Sequence, residues 1–229
     1  MRLDKLLASR GGYSRKEAIE LIRRRKVSVQ DEICRDPKHH FEEDCELAVD
    51  GVAISPAYPL YLYHKPIGLI STMEDEWGRE CMGDIVPVHY HLVGRLDKDT
   101  RGLLLFSRYG TLTQYLLHPK RAIEREYIAT VEGSPTEHLV EVIEQGVETS
   151  VGLARGKIIA IKGSQIRLTM TEGRNRVVRR MLNNAGFPVL DLFRVRFGPF
   201  KLGDLEEGGR KAITIEELKQ LGLIAWSID

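Results

Sequence analysis

The stretch Gly94–Phe106, GRLDKDTRGLLLF, constrains the fold more than any other part of the chain. A polar, charge-dense segment carrying Asp97 and Asp99 runs directly into the apolar run Leu103–Phe106. An unbroken apolar run after a glycine predicts a buried strand, which fixes the polar segment at the rim of a core. Asp97, set among Arg95, Leu96 and Lys98, is then a carboxylate offered at a core edge among cations. A plain turn accounts for part of the same stretch, because Asp99-Thr100-Arg101-Gly102 has Asp first and Gly fourth, as type I turns prefer. Spacing alone leaves both readings open.

At 229 residues the chain has room for one large domain, or for a small domain followed by a larger one. No apolar run approaches the roughly 20 residues that span a bilayer, and the start MRLDKLLASRGG has no apolar signal region. A cytoplasmic protein with no membrane partner is expected. Cys34, Cys45 and Cys81 form no C-x-x-C pair, so packing is their expected role rather than a disulfide framework or zinc ribbon. His89 and His91 are spaced to share a strand face, but no Cys or second His pair accompanies them, and no metal site is expected.

A formal net charge of +1 argues against a nucleic-acid partner, whereas its distribution argues for one. Residues 1–26 hold nine Lys/Arg against three Asp/Glu, and residues 167–201 hold eight against two. Two basic patches offset by acidic regions suit a protein that grips phosphates with selected faces.

Leu3, Leu6, Leu7 and Arg10 predict a short helix stopped by Gly11-Gly12. Ser14 and Glu17 form a capping box for a second helix, in which Ala18, Ile19, Leu21 and Ile22 are the buried side and Lys16 and Arg23 share the exposed side. Arg23-Arg24-Arg25-Lys26 ends it, where cations suit the helix dipole. Val27-Ser28-Val29, a Gln30-Asp31 turn and Ile33-Cys34 follow as a hairpin. The pattern RLDKLL…SRKEA…I…VSV…D…I resembles the small RNA-binding domain named after ribosomal protein S-four, over residues 1–48. That resemblance implies cations presented to structured RNA, here Arg2, Lys5, Arg15, Lys16, Arg23, Arg24 and Arg25. The hairpin departs from it, with Gln30-Asp31 in place of Asn-Gly or Asp-Gly. After the acidic residues Glu42, Glu43, Asp44 and Glu46, the segment Gly51–Pro59 has two prolines and no periodicity, so residues 49–59 read as a linker to a second domain over 60–229.

In that second part, Leu60–Tyr63 predicts a strand leading into His64-Lys65-Pro66-Ile67-Gly68, with His64 read as a solvated strand-end residue. Tyr109–Leu117 and Thr136–Gln145 predict helices, and Lys157–Ile161 with Gln165–Met170 a hairpin. In the strand Ile123–Val131, period two places Arg125 and Tyr127 side by side on one face. A Tyr beside a cation suits base stacking with phosphate contact, and equally suits a core edge with an exposed Arg. Val177, Val178, Met181, Leu182 and Ala185 mark the apolar stripe of a helix with Asn175 as its cap, Gly186 as its stop, and Arg176, Arg179 and Arg180 on its remaining surface. Leu192–Phe197 alternates so that Phe193, Val195 and Phe197 face one way and Arg194 and Arg196 form a cationic outer face. Thr214-Ile215-Glu216-Glu217 caps a last short helix.

The segments HKPIG, GRLDKDTRGLLLF, REYIATV and EGRNRVVRRM, in this order, resemble the RsuA family of ribosomal RNA pseudouridine synthases. The resemblance covers essentially the whole chain and implies an α+β fold, a mixed and mostly antiparallel sheet flanked by helices. It also implies a reaction without cofactor, in which the bond from uracil N1 to ribose is broken and C5 is rejoined. By motif position Asp97 is the essential carboxylate, attacking the ribose or removing its 2′ proton. Arg179 is its cationic partner, and an opposite charge within about 4–6 Å lowers an Asp pKa by roughly 1–3 units. Tyr127 stacks on the flipped uracil, with Arg125 at a position where the family often has Lys, and Arg95, Arg174, Arg176 and Arg180 contact RNA. Arg101 is a further support. Val177 stands where relatives usually carry Gln. The partner implied is ribosomal RNA or a subunit assembly intermediate, met by a monomer. The arrangement of modules resembles the small-subunit enzyme, whereas EGRNR resembles the large-subunit enzymes; small-subunit RNA is the first reading. A binding-only assembly factor on the same scaffold is the competing class.

Overall fold

The computed structural model describes residues 1–11, 13–42, 45–54, 58–87 and 90–223. Glu43, Asp44, His89 and the middle of the expected linker lie outside the described residues. The chain divides into two compact units, Met1–Tyr58 and Pro59–Asp229.

In the first unit, α1 (Leu3–Gly11) buries Leu3, Leu6 and Leu7. Helix α2 (Arg15–Arg23) starts at Ser14, whose hydroxyl accepts from Glu17 N while the Glu17 carboxylate accepts from Ser14 N. The expected hairpin is β1 (Val27–Val29) and β2 (Glu32–Ile33), with Val29 opposite Glu32. The loop is therefore two residues long, and Gln30 and Asp31 both take positive φ, +51° and +64°. The tight turn survives without its usual glycine. β3 (Leu47–Val49) and β4 (Val52–Ile54) complete a four-stranded sheet in the order β2-β1-β3-β4. This corrects the expected boundary: residues 49–54, read as linker, form a hairpin of the first unit. Val49, Val52 and Ile54 supplied a strand pattern that the nearby prolines obscured.

In the second unit, β5 (Leu60–Lys65), β6 (His91–Val93), β7 (Arg101–Ser107), α3 (Gly110–Leu117), β8 (Arg125–Val131) and α4 (His138–Gln145) come first. They are followed by β9 (Lys157–Lys162), β10 (Gln165–Met170), α5 (Val177–Asn184), β11 (Val189–Phe197), β12 (Phe200–Lys201), β13 (Arg210–Ile213) and α6 (Ile215–Gln220). The main sheet runs β13-β5-β7-β11-β8-β10-β9, with β6 also on β7 and β12 on β11. Among the described strand pairs only β7–β11 is parallel. The apolar run in β7 is buried on both faces. Leu104 and Phe106 join a core with Tyr127, Met181 and Leu182, whereas Leu103 and Leu105 join another with Leu112, Leu116 and Leu218. Helices on both sides explain why the run does not alternate with polar residues.

Three local expectations change. The turn is Asp97–Thr100, closed by Thr100 N donating to Asp97 O at 3.0 Å, so Arg101 and Gly102 already belong to β7. Gly102 serves another purpose: its φ is +111°, and a Cβ there would lie 2.3 Å from Arg194 O across the parallel pair. Helix α5 is capped by Arg176 in the left-handed region (φ +52°) rather than by Asn175. Finally, β11 is irregular between Arg194 and Arg196 where it pairs with β8, and Arg194 is buried instead of lying on a cationic outer face.

Candidate active site

The Asp97 turn is held from outside at almost every peptide. Ser71 Oγ donates to Leu96 O at 2.7 Å, Gly68 N to Lys98 O at 2.8 Å, Arg179 Nη2 to Asp99 O at 2.6 Å and Lys65 Nζ to Thr100 O at 3.0 Å. These bonds come from residues 65–71 and from α5, so two distant segments fix one turn. The Asp97 carboxylate itself is half-buried and, among the described residues, has no hydrogen bond or ion pair. It is rigidly placed and chemically free, the condition a nucleophile or base requires.

Asp97 lines a cavity of about 190 Å³. Around it stand Arg95, Leu96 and Thr100 from the turn, Arg125 and Tyr127 from β8, and Leu192, Arg194 and Phe197 from β11. Arg174, Asn175, Arg176, Val177 and Val178 close the side toward α5. The lining thus holds five arginines and one carboxylate, a setting for an anionic ligand. Tyr127 is buried within the wall, and Arg125 Nη1 donates to Ile123 O and Thr171 O at 3.1 and 3.2 Å. The sequence-expected pair on β8 is therefore brought to the cavity together.

Arg179 makes its direct contacts with Asp99 rather than Asp97, although the Asp97 charge also acts on it. It is buried, donates from Nη1 to Val189 O and from Nη2 to Asp99 O, and places Nε 3.4 Å from Asp99 Oδ2. Arg176 completes this clamp with two bonds of 2.7 Å to the Asp99 carboxylate. The Arg176 hydrogen bonds hold the Asp99 carboxyl below the usual carboxylate range. Motif position placed Arg179 near the turn but could not say which of two aspartates, two residues apart, it would take. Arg180, expected at RNA, binds Asn175 and Ser150 through solvent-exposed hydrogen bonds and is not among the cavity-lining residues. Arg174 lines the cavity while bonding Glu172, Val151 O and Leu153 O. Arg95 is exposed at the rim. Arg101 pairs with Asp191 of β11 at 2.9 Å and lies over the Phe193 ring, supporting the sheet.

Two residues at the site escaped the sequence reading, Lys65 and Arg194. His64 and Lys65 are both buried, and His64 Nδ1 donates to Leu205 O at 2.8 Å. Lys65 is fully buried, and burial pushes its ammonium down to about 8 despite the opposing charges of Asp97 and Asp99. Arg194 was missed because both faces of β11 are covered there: it shares the buried face of Leu192, in regular register opposite Tyr127, while Phe193 packs on the other side.

In the first unit the cations are disposed as the helices require. Arg15, Lys16, Arg23, Arg24 and Arg25 are exposed, and Arg24 pairs with Glu20 at 2.6 Å. Arg2 and Arg15 converge on the buried Asp4 carboxylate at 2.8 and 3.2 Å, while Lys5 is half-buried. Among the described residues no group of three His, Cys, Asp or Glu is placed to hold a metal ion, and His91 Nε2 lies 2.8 Å from Thr113 Oγ1. No helix among them is long and apolar enough to cross a membrane.

Comparison with known proteins agrees with this geometry. Residues 59–184 match the family described as RNA pseudouridylate synthase, and residues 1–44 match the S4 domain. An uncharacterized RNA pseudouridine synthase of Mycobacterium leprae is 36% identical over 96% of this chain and 92% of its own length. Ribosomal large subunit pseudouridine synthase B of Bacillus subtilis is 34% identical over 98% of this chain and 96% of its own. A solved pseudouridylate synthase structure superposes with a TM-score of 0.65 at 25% identity, covering 96% of this chain and 99% of that one.

Proposed function

Because the chain belongs to the RNA pseudouridine synthase family, we propose that it isomerises a uridine of large-subunit ribosomal RNA at Asp97. The observation that carries this reading is the free Asp97 carboxylate, held rigidly in a cavity otherwise lined by arginines and Tyr127. RNA phosphates meet Arg95, Arg174 and Arg176 at the rim, and the target base leaves its stack to enter beside Tyr127. Flipping costs a few kcal/mol, which stacking worth about 1–3 kcal/mol and phosphate contacts offset. Asp97 then attacks the ribose or removes its 2′ proton, N1 is released, the base turns, and C5 joins the ribose. Arg179 acts from behind, through Asp99, to hold the turn. Val177 and Leu192 present apolar surface to the base. The first unit supplies a second RNA contact through its exposed cations.

The choice of RNA departs from the first sequence reading. Relatives named from Bacillus subtilis and Vibrio vulnificus are large-subunit synthases, which supports the alternative that EGRNR suggested. Mapping pseudouridines by carbodiimide treatment and reverse transcription, in cells with and without this chain, tests the proposal. One stop should vanish from large-subunit RNA. Loss from small-subunit RNA would reverse the choice, and no loss from either would remove the enzymatic reading in favour of the binding-only one.

A further inference from the structure

Arg194 and Arg125 line the cavity from β11 and β8, and among the described residues neither has a carboxylate partner. Arg194 is only 3% exposed; its Nε donates to Leu103 O at 2.8 Å, while its Nη2 has no hydrogen-bond partner among the described residues. Both guanidiniums lie over the Phe197 ring, that of Arg125 4.6 Å and that of Arg194 5.2 Å from its centroid. Lys65, fully buried, adds a third cation whose charge Arg194 opposes. A buried cation with an unused donor is costly unless something negative arrives to meet it. The half-exposed arginines at the rim already suit phosphates, so this buried donor suits the base.

The isomerisation proposed above, on which this inference rests, creates the missing anion. When the N1–C1′ bond breaks, its electron pair leaves with N1, and the charge spreads to the uracil carbonyl oxygens. After rotation C5 supplies an electron pair to C1′, the C5 proton is lost and N1 regains one, so no oxidant, reductant or co-reactant is consumed. We propose that Arg194 is a further catalytic residue, whose guanidinium donates to a carbonyl oxygen of the flipped uracil and stabilises the detached uracil anion. A donor aimed where charge develops, inside a water-poor cavity, acts on the transition state more than on the bound substrate.

The test compares wild type, Arg194→Met and Arg194→Lys in single turnovers on two transcripts of the substrate RNA. One contains uridine and the other 5-fluorouridine, whose C5 carries no proton to lose, so both are followed as loss of the starting nucleoside by chromatography after digestion. Fluorine at C5 makes N1 a better leaving group and lessens the need for stabilisation. On uridine, Arg194→Met should lose about 10²–10³-fold in rate, as oxyanion-donor deletions do, with RNA affinity within about twofold of wild type. On 5-fluorouridine the deficit should shrink by about tenfold or more. An equal deficit on both transcripts, or a wild-type rate on uridine, overturns the proposal. Thermal unfolding checks each variant, and Arg194→Lys carries the same comparison if the Met variant does not fold. Absence of turnover by the wild type overturns the isomerase reading and this inference together, whereas failure of the variant arms alone leaves the isomerase reading standing.

Discussion

Arg179 and Asp99 are joined through the main chain: Nη2 donates to the Asp99 carbonyl oxygen at 2.6 Å, leaving the Asp97 carboxylate two residues away without a partner. The guanidinium fixes the turn and also lies close enough for the Asp97 charge to act on it. Arg179→Lys keeps the charge but cannot reach Val189 O, Asp99 O and the Asp99 carboxylate together. Stability should fall by about 1–3 kcal/mol, the cost of stranding buried acceptors. The turnover rate should fall at least about tenfold from misplacement of Asp97, with RNA affinity nearly unchanged, because Arg179 does not line the cavity. Urea unfolding and single-turnover assays check both parts.

Lys65 makes stability depend on pH. Its folded-state pKa, about 8, is below the unfolded value of 10.5, so above about pH 8 the unfolded chain holds more protons than the folded one. Stability from this group therefore rises with pH between about 8 and 10.5 and is absent below 8. Comparing wild type with Lys65→Met by urea unfolding at pH 7 and pH 9.5, the difference should move in favour of wild type by up to about 2 kcal/mol. A pH-independent difference would show that the buried ammonium is not perturbed.

Gly102→Ala is expected to break the parallel β7–β11 contact. The added Cβ would lie 2.3 Å from Arg194 O and 2.8 Å from Arg194 N, at a φ of +111°. A backbone clash combined with backbone strain places the loss above about 3 kcal/mol. Thermal unfolding measures it, and a midpoint within about 2 °C of wild type would contradict the account.

The Gln30-Asp31 turn predicts a gain. Both residues adopt positive φ in a two-residue hairpin, where Asn-Gly is favoured. Gln30→Asn with Asp31→Gly should stabilise the first unit by about 1 kcal/mol. Slower amide hydrogen exchange at Val27–Val29, by about fivefold, would register it.

Much of this was legible because local chemistry and tertiary structure agreed. The Ser14–Glu17 capping box, the β7 apolar run and the Arg125/Tyr127 spacing each specify their element within a few residues. What escaped depended on pairing between distant segments. Gly102 reads as a turn glycine until β11 is laid beside it, and Arg194 reads as exposed until the face it shares with Leu192 is covered. Lys65 carries no local sign of burial, since its acceptors lie at Pro66 and Thr100. The identity of Arg179's partner was likewise a matter of reach, decided by the Asp97–Thr100 turn.

The central claim is that a rigid, unpaired Asp97 carboxylate performs the isomerisation. Tritium release from large-subunit ribosomal RNA labelled at uridine C5 tests it, comparing wild type with Asp97→Asn. The variant removes no hydrogen bond among the described residues and should unfold at the wild-type temperature with RNA binding retained. Wild type should release tritium and Asp97→Asn should release none above background. Release by a folded Asp97→Asn protein would contradict the account.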